Sequence, residues 1–396
     1  MLTMRDPLRN SDSKRIQVLV LGMLDSVHLA RWLNQFIQED IEFIIVSSKK
    51  YKNIHPLMQS LIRSKHEARY QLGSSPKVLF LAGYLDFLEI CLDKVFRLKN
   101  HRVRTVEKVL RTSEIDYIHA FEIQGAGYLL REIDPTLLLQ PKVIVTNWGS
   151  DIFYFRSFPD HAEKIRDVLN LADLYSAECF RDYKLAAELG FSGINLPCIP
   201  NGGGFAIVSR DQTFILPSNR NQILIKGYGG IFGRAKIVIQ LIPTIASLFP
   251  EVCFHIYSVT DDILPEIRKL PSNLKPRISV STLRNKLSHE EFLHQFAQSR
   301  IYVGCSESDG ISTSFIESLI YGSYPIQTDT SCANEWIQRG ARGSIVPLDS
   351  STLLDEICRA LRDDSLVNSV SAVNFEIAKK FLSEEVVKDF ALQFYK

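Results

Sequence analysis

The sequence predicts an α/β protein built from two doubly wound parallel-sheet domains in tandem. Two observations carry that prediction. Short apolar runs alternate with stretches of helical periodicity, and the alternation lapses once near the middle before starting again. RIQVLVLGM, residues 15–23, reads as a buried strand ending at the Gly22 turn. DSVHLARWLNQFIQED follows with helical spacing, and IEFIIVSS is the next strand. YIHAFEI, KVIVTNWGSD and ADLYSAE add further strands, and the strand–helix–strand order argues a sheet covered on both faces. AIVSRDQTFILPSNRN breaks the pattern and reads as a linker. The pattern resumes with QILIKGYGGIFGRAKIVIQLIPTIASLF, VCFHIYSV, RISVSTL, SRIYVGCS and SYPIQTD, and SEEVVKDFALQFYK reads as one closing helix. The expected division is a first domain over 1–205, a linker over 206–219, a second domain over 220–380 and a C-terminal helix over 381–396. A ligand crevice is expected where the C-terminal ends of both sheets face each other.

Composition narrows the partners. At 396 residues, 45% apolar and 23% charged, the chain has material for two cores. A net charge of +1 gives no bulk attraction to nucleic acid, and none is expected as a partner. Seven cysteines are scattered without a C-x-x-C or zinc spacing, which suits free thiols in a reducing compartment. The polar start MLTMRDPLRNSDSKR does not read as a signal peptide, and no apolar run approaches the ~18 residues a membrane span needs. A cytoplasmic protein is the expectation. Charge is uneven, however: residues 49–111 hold fourteen Lys and Arg against five acids. Such a block is either a solvated face or a surface for anionic lipid, which would make the protein peripheral on the inner face of a membrane.

The stretch SDGISTSFIESLIYGSYPIQTD, residues 308–329, carries the chemistry. It follows the strand RIYVGCS, and a loop with Asp309 and Gly310 leads into a helix expected to begin near Ser312 to Ser314. Helix starts present unpaired N–H groups and partial positive charge, which suit phosphate. Gly310 leaves room for close backbone approach, and Glu317 lies about one turn into the helix. Two acceptor-only carboxylates around N–H donors read hydroxyls and phosphates together, as in a nucleotide sugar. The plainer alternative is a capped helix with a solvated Asp and Glu.

In sequence this stretch resembles the donor-binding motif of retaining GT-B glycosyltransferases, family four in particular, in which Glu-x₇-Glu is followed by Ala-x₃-Gly and an apolar strand. Asp309 stands at the first Glu, Glu317 at the second and Gly322 at the Gly. SCANEW, RGARGSIVP, LGMLDSVHLARWL, YIHAFEIQGAGYL, TNWGSDI and IPNGGGF resemble other family segments in the expected order, so the likeness runs from residue 16 to about residue 365. It implies the GT-B fold, two Rossmann-like domains facing across a cleft, with the acceptor on the N-terminal side and the donor on the C-terminal side. Carried over by position, Glu317 would bind the donor ribose and Asp309 a hydroxyl of the transferred sugar. The backbone at Gly310, Ile311, Ser312 and Thr313, with Gly227, would hold sugar and diphosphate. Lys226 and Arg234 would grip the diphosphate, and Tyr228 stands where the family has an Arg. Trp148 replaces a sugar-contacting His; Gly22, His28, His119, Glu122, Trp148 and Asp151 are the acceptor-side candidates.

No Asp-x-Asp motif is placed at the cleft, so no metal and no cofactor are expected, the nucleotide sugar being a substrate. The expected activity is transfer of a hexose-type sugar, with retention, to a saccharide or lipid-linked acceptor in surface polysaccharide or lipopolysaccharide assembly. A nucleotide-sugar 2-epimerase of the same architecture, or a non-catalytic GT-B partner, remains as an alternative. A nicotinamide-dependent oxidoreductase is rejected, because GYGGIFG has Phe232 where the dinucleotide fingerprint needs Gly.

Overall fold

The computed structural model describes residues 15–51, 53–61, 78–79, 91, 100–211 and 213–396. Eight of the fourteen basic positions in the 49–111 block (52, 63, 65, 69, 77, 94, 97 and 99) lie outside the described residues. Two parallel sheets form the frame. The first comprises β1 (Ile16–Gly22), β2 (Ile41–Ser47), β3 (Val78–Leu79), β4 (Tyr117–Phe121), β5 (Lys142–Thr146), β6 (Leu174–Ser176) and β7 (Ile194–Asn195). Its strand order is β3-β2-β1-β4-β5-β6-β7, and Leu19 of β1 lies opposite Ile44 on one side and Ile118 on the other.

The second sheet comprises β8 (Gln222–Lys226), β9 (Cys253–Val259), β10 (Ile278–Thr282), β11 (Ser299–Gly304), β12 (Tyr324–Thr328) and β13 (Ser344–Val346), in the order β10-β9-β8-β11-β12-β13. Burial on both faces explains why the central strands β8, β9 and β11 read as largely apolar runs, whereas edge strand β10, Ile-Ser-Val-Ser-Thr, is partly exposed. Successive side chains still point to opposite faces. In β8, Ile223 and Ile225 join the core under helix Ala235–Leu248, while Leu224 joins Phe315 and Leu319 of helix Thr313–Tyr321. That last helix stops at Gly322, whose φ of 88° is a left-handed cap that only Gly adopts without strain.

Contacts group the described residues into two compact units. One holds the chain up to Thr146 with Asn170–Leu174 and Tyr395–Lys396; the other holds Asn147–Leu169 and Tyr175–Phe394. The expected linker, 206–219, is pinned within the second unit. Arg210 donates to the carbonyls of Ser371 (3.1 Å) and Ile320 (3.2 Å), and its guanidinium lies between the rings of Phe214 and Phe375. The tail is not one helix: Glu384–Ala391 is α-helical and Leu392–Tyr395 tightens to a 3₁₀ turn. No helix among the described residues is long and apolar enough to cross a membrane.

Candidate functional site

Both sheets reverse their strand order beside their first strand, between β1 and β4 and between β8 and β11. Open α/β sheets bind ligands outside the carboxyl ends of their strands at such reversals. In the second unit the reversal is flanked by Lys226, the last residue of β8, and by the segment after β11 that enters helix Thr313–Tyr321.

Three sequence-predicted residues meet there. Lys226 Nζ lies 3.4 Å from Asp309 Oδ2 and donates to Ser312 Oγ at 3.3 Å. Burial opposes the ammonium charge, but Asp309, Tyr302 and Tyr228 outweigh it and hold Lys226 protonated above the ordinary lysine range. Ser312 is the N-cap of the helix, yet its hydroxyl faces Lys226 rather than the first-turn N–H groups. Arg234 is engaged elsewhere: its Nε donates to Glu307 Oε1 at 2.8 Å, a second nitrogen pairs with Glu307 Oε2, and Nη1 donates to the carbonyls of Gly230, Ile231 and Gly233. A diphosphate would have to draw Arg234 away from Glu307.

The glycines serve packing. Gly227 donates its N–H to the Tyr257 carbonyl at 2.8 Å, and a Cβ there would lie 2.7 Å from Val259 Cγ2. Gly149, at φ +91°, passes so close to Gly310 that a Cβ on it would lie 2.2 Å from the Gly310 nitrogen. On the side where a Cβ would stand, Gly310 meets the 148–149 backbone, with Gly149 Cα and Trp148 O each 3.3 Å away. Ile311 and Glu317 are buried, Ile311 with Phe315 and Ile316 in the helix's own core. Asp151, in the first turn of the short helix Ser150–Phe153, accepts the Trp148 N–H at 3.2 Å.

One residue here escaped sequence reasoning. Glu178, partly buried just after β6, accepts the Asn201 N–H at 2.9 Å, and its Oε2 lies 3.2 Å from the Cβ position of Gly310. Burial, with Asp309 and Asp182 nearby, pushes its carboxyl up to about 8, against the pull of the Asn201 and Ile311 N–H groups. Arg181, three residues further along, donates to the Asp309 carbonyl at 3.0 Å. The signal that could have found Glu178 is positional: an acid two residues past the end of a strand. Cys179, Cys332 and Glu335 offer ligand atoms within 4.8 Å of one another, the one group of metal-ligand type among the described residues. Both Glu335 oxygens already accept N–H groups, from Phe180 (2.8 Å) and Arg181 (2.9 Å).

The first unit holds the other candidates. His119 is a correction: fully buried, it shares hydrogen bonds with Tyr395 Oη (2.8 Å) and Thr146 Oγ1 (2.7 Å), so both ring nitrogens are used in the core. Burial lowers its pKa well below the ordinary histidine value, which keeps it neutral. Gly22 closes β1, and a Cβ on it would lie 2.7 Å from Leu29 Cδ2. His28 is half-buried in the first turn of helix Val27–Asn34, after its Ser26 N-cap. Glu122 accepts the N–H groups of Gly125 (2.6 Å) and Ala126 (2.8 Å), capping the turn that follows it. Its backbone, φ 72° and ψ 150°, lies in a region that side chains rarely adopt, so the strand end after β4 is strained.

No family model matches the chain, and no curated protein matches it either. Solved structures do. The chain is similar to Anabaena HepE in complex with UDP-glucose, at 14% identity and a TM-score of 0.67 over 96% of this chain and 99% of that one. Sucrose-phosphate synthase from Thermosynechococcus elongatus aligns at 14% identity and a TM-score of 0.66, over 96% and 97%. A form of S. aureus TarM, in complex with fondaparinux, alpha-GlcNAc-glycerol and UDP, aligns at 11% identity and a TM-score of 0.68, over 96% and 100%. The fold is therefore that of the GT-B glycosyltransferases, with two Rossmann-like domains.

Proposed function

We propose that this protein is a glycosyltransferase that moves a hexose-type sugar from a nucleotide-sugar donor to a saccharide or lipid-linked acceptor, with retention and without a metal ion. The observation that carries the reading is Lys226 at the reversal of the second sheet, beside Asp309 and Ser312 at a helix start. A partly buried cation next to a helix N-terminus suits a diphosphate. Phosphate oxygens would replace Asp309 as the partner of Lys226, releasing a carboxylate for the sugar. Arg234 would join them on leaving Glu307. Cationic groups of this kind offset the charge on a leaving diphosphate without a divalent ion. The leaving phosphate would then take the acceptor's proton, so no protein base is needed. HepE with UDP-glucose and TarM with UDP lend support by likeness of fold. A role in surface polysaccharide or lipopolysaccharide assembly, and docking on an anionic membrane through residues 49–111, rest on the sequence reading.

Calorimetry with UDP, GDP and ADP, followed by transfer assays with the sugars of the nucleotide that binds, tests the reading. One nucleoside diphosphate should bind, and EDTA should leave transfer intact. Glu317→Ala should weaken nucleotide binding, whereas Asp309→Asn should keep it and lower kcat, because the sugar carboxylate acts where charge develops in the transition state. If no nucleotide binds, the reading fails. Isomerisation of donor alone would instead identify the epimerase.

A further inference from the structure

Cys179 and Cys332 meet inside the second unit. Their sulfurs are 2.6 Å apart, although 153 residues separate them along the chain. Both are buried, at 0% and 2% exposure. A disulfide bond is about 2.05 Å long, whereas two thiolates sharing one zinc ion at about 2.3 Å each would stand well over 3 Å apart. The spacing therefore favours a bond between the sulfurs over a metal between them, and both Glu335 oxygens are already occupied by the N–H groups of helix Phe180–Glu188. We propose that Cys179 and Cys332 are a reversible disulfide site, oxidised by hydrogen peroxide and restored by a dithiol.

The chemistry balances without further reactants. One sulfur attacks a peroxide oxygen, the O–O bond breaks, and a sulfenic acid and water result. The second thiol's sulfur then displaces the hydroxyl as water, so two thiols and one peroxide give a disulfide and two waters. A small oxidant suits this pair. The shared S–H hydrogen bond, and then burial, hold the Cys179 thiol well above the ordinary range, so thiolate is scarce and oxidation in the resting protein is slow. The bond would also brace the candidate site. Cys179 follows Glu178 directly, and the Cys332 N–H donates to the Gly310 carbonyl at 2.9 Å.

The full-length protein would be treated with hydrogen peroxide, quenched with catalase, denatured, alkylated and digested for mass spectrometry. The expected result is one peptide pair joined through Cys179 and Cys332, two hydrogens lighter and separated by dithiothreitol. Exposed Cys91 reports that peroxide has acted. The oxidised protein should also melt roughly 5–10 °C higher, because the bond closes a long loop. Cys332→Ser should abolish that rise and Cys198→Ser should keep it. Recovery of both residues alkylated, while Cys91 is oxidised, would overturn the proposal. So would a divalent metal bound in equal amount to the protein and lost in Cys332→Ser. The peptide measurement uses the wild-type chain, so poor folding of a variant would not obscure the answer.

Discussion

Glu178 shows what a single side chain contributes to the site and how pH should expose it. Its carboxyl titrates near 8 in the folded chain, mainly because burial disfavours the charge, against an ordinary value of 4.5. A carboxyl whose pKa rises on folding takes up a proton as the chain folds. Its effect on stability is therefore nil below about pH 4.5, grows as pH rises, and is complete above about pH 8. Glu178→Gln, which keeps an acceptor for the Asn201 N–H, should match the wild type near pH 4. It should exceed the wild type by up to a few kcal/mol at pH 8.5. Urea unfolding at stepped pH measures this, and a constant gap between pH 5 and 9 would show that Glu178 is an ordinary solvated acid. The sequence made Lys226, Asp309 and Ser312 legible because strand ends and a helix start can be read from apolar runs. It left Glu178 and Arg181 unread because their importance comes from where the chain returns in space. His119 failed for the same reason: strand-end position is visible in a sequence, but the Tyr395 and Thr146 partners that bury it are not.

At the scale of elements, the loop Trp148–Gly149 and the segment Asp309–Ser312 form one backbone-to-backbone junction. Gly149 has two reasons to be Gly, its φ of +91° and the Gly310 nitrogen 2.2 Å from its Cβ position. Gly230 has only one, since its φ is +67° with nothing within 4 Å of a Cβ. Gly230→Ala should therefore cost about 1 kcal/mol of left-handed strain, and Gly149→Ala about 2–4 kcal/mol. Thermal melts of the two variants compare them directly. Equal losses would mean that the junction yields and Gly310 is not held by it. Most strands were legible, because burial on both faces writes them as continuous apolar runs. Two-residue β3 and β7 were too short to leave a pattern. The first helix was expected to run through DSVHLARWLNQFIQED but stops at Asn34. There the hydrogen bonds shift to the tighter i→i+3 form, as from the Phe36 N–H to the Leu33 carbonyl.

At the scale of the whole molecule, the chain's last residues belong to its first unit. Tyr395 is 1% exposed, and its hydroxyl accepts the Trp32 indole N–H at 3.1 Å, 363 residues away, and meets His119 Nδ1 at 2.8 Å. Tyr117 Oη donates to the Lys396 carbonyl at 2.7 Å, so the final residue is held as well. Helical periodicity in SEEVVKDFALQFYK reveals an amphipathic helix but nothing of this return, because the partners lie at the opposite end of the sequence. Tyr395→Phe keeps the ring and its packing among Phe36, Phe43 and Tyr117. It removes the oxygen that accepts from Trp32 Nε1 and meets His119 Nδ1, so two buried polar groups lose that partner. Each such group costs about 1–3 kcal/mol, so the first unit should lose roughly 2–4 kcal/mol. Hydrogen exchange distinguishes that loss from a general one. Amides of β1 and β4, which flank Trp32 and carry His119, should exchange faster in Tyr395→Phe, while those of β8 and β11 keep their wild-type rates. Uniform acceleration in both sheets would mean that the two units unfold as one, and the C-terminal residues would then be a clasp on the entire chain rather than on its first unit.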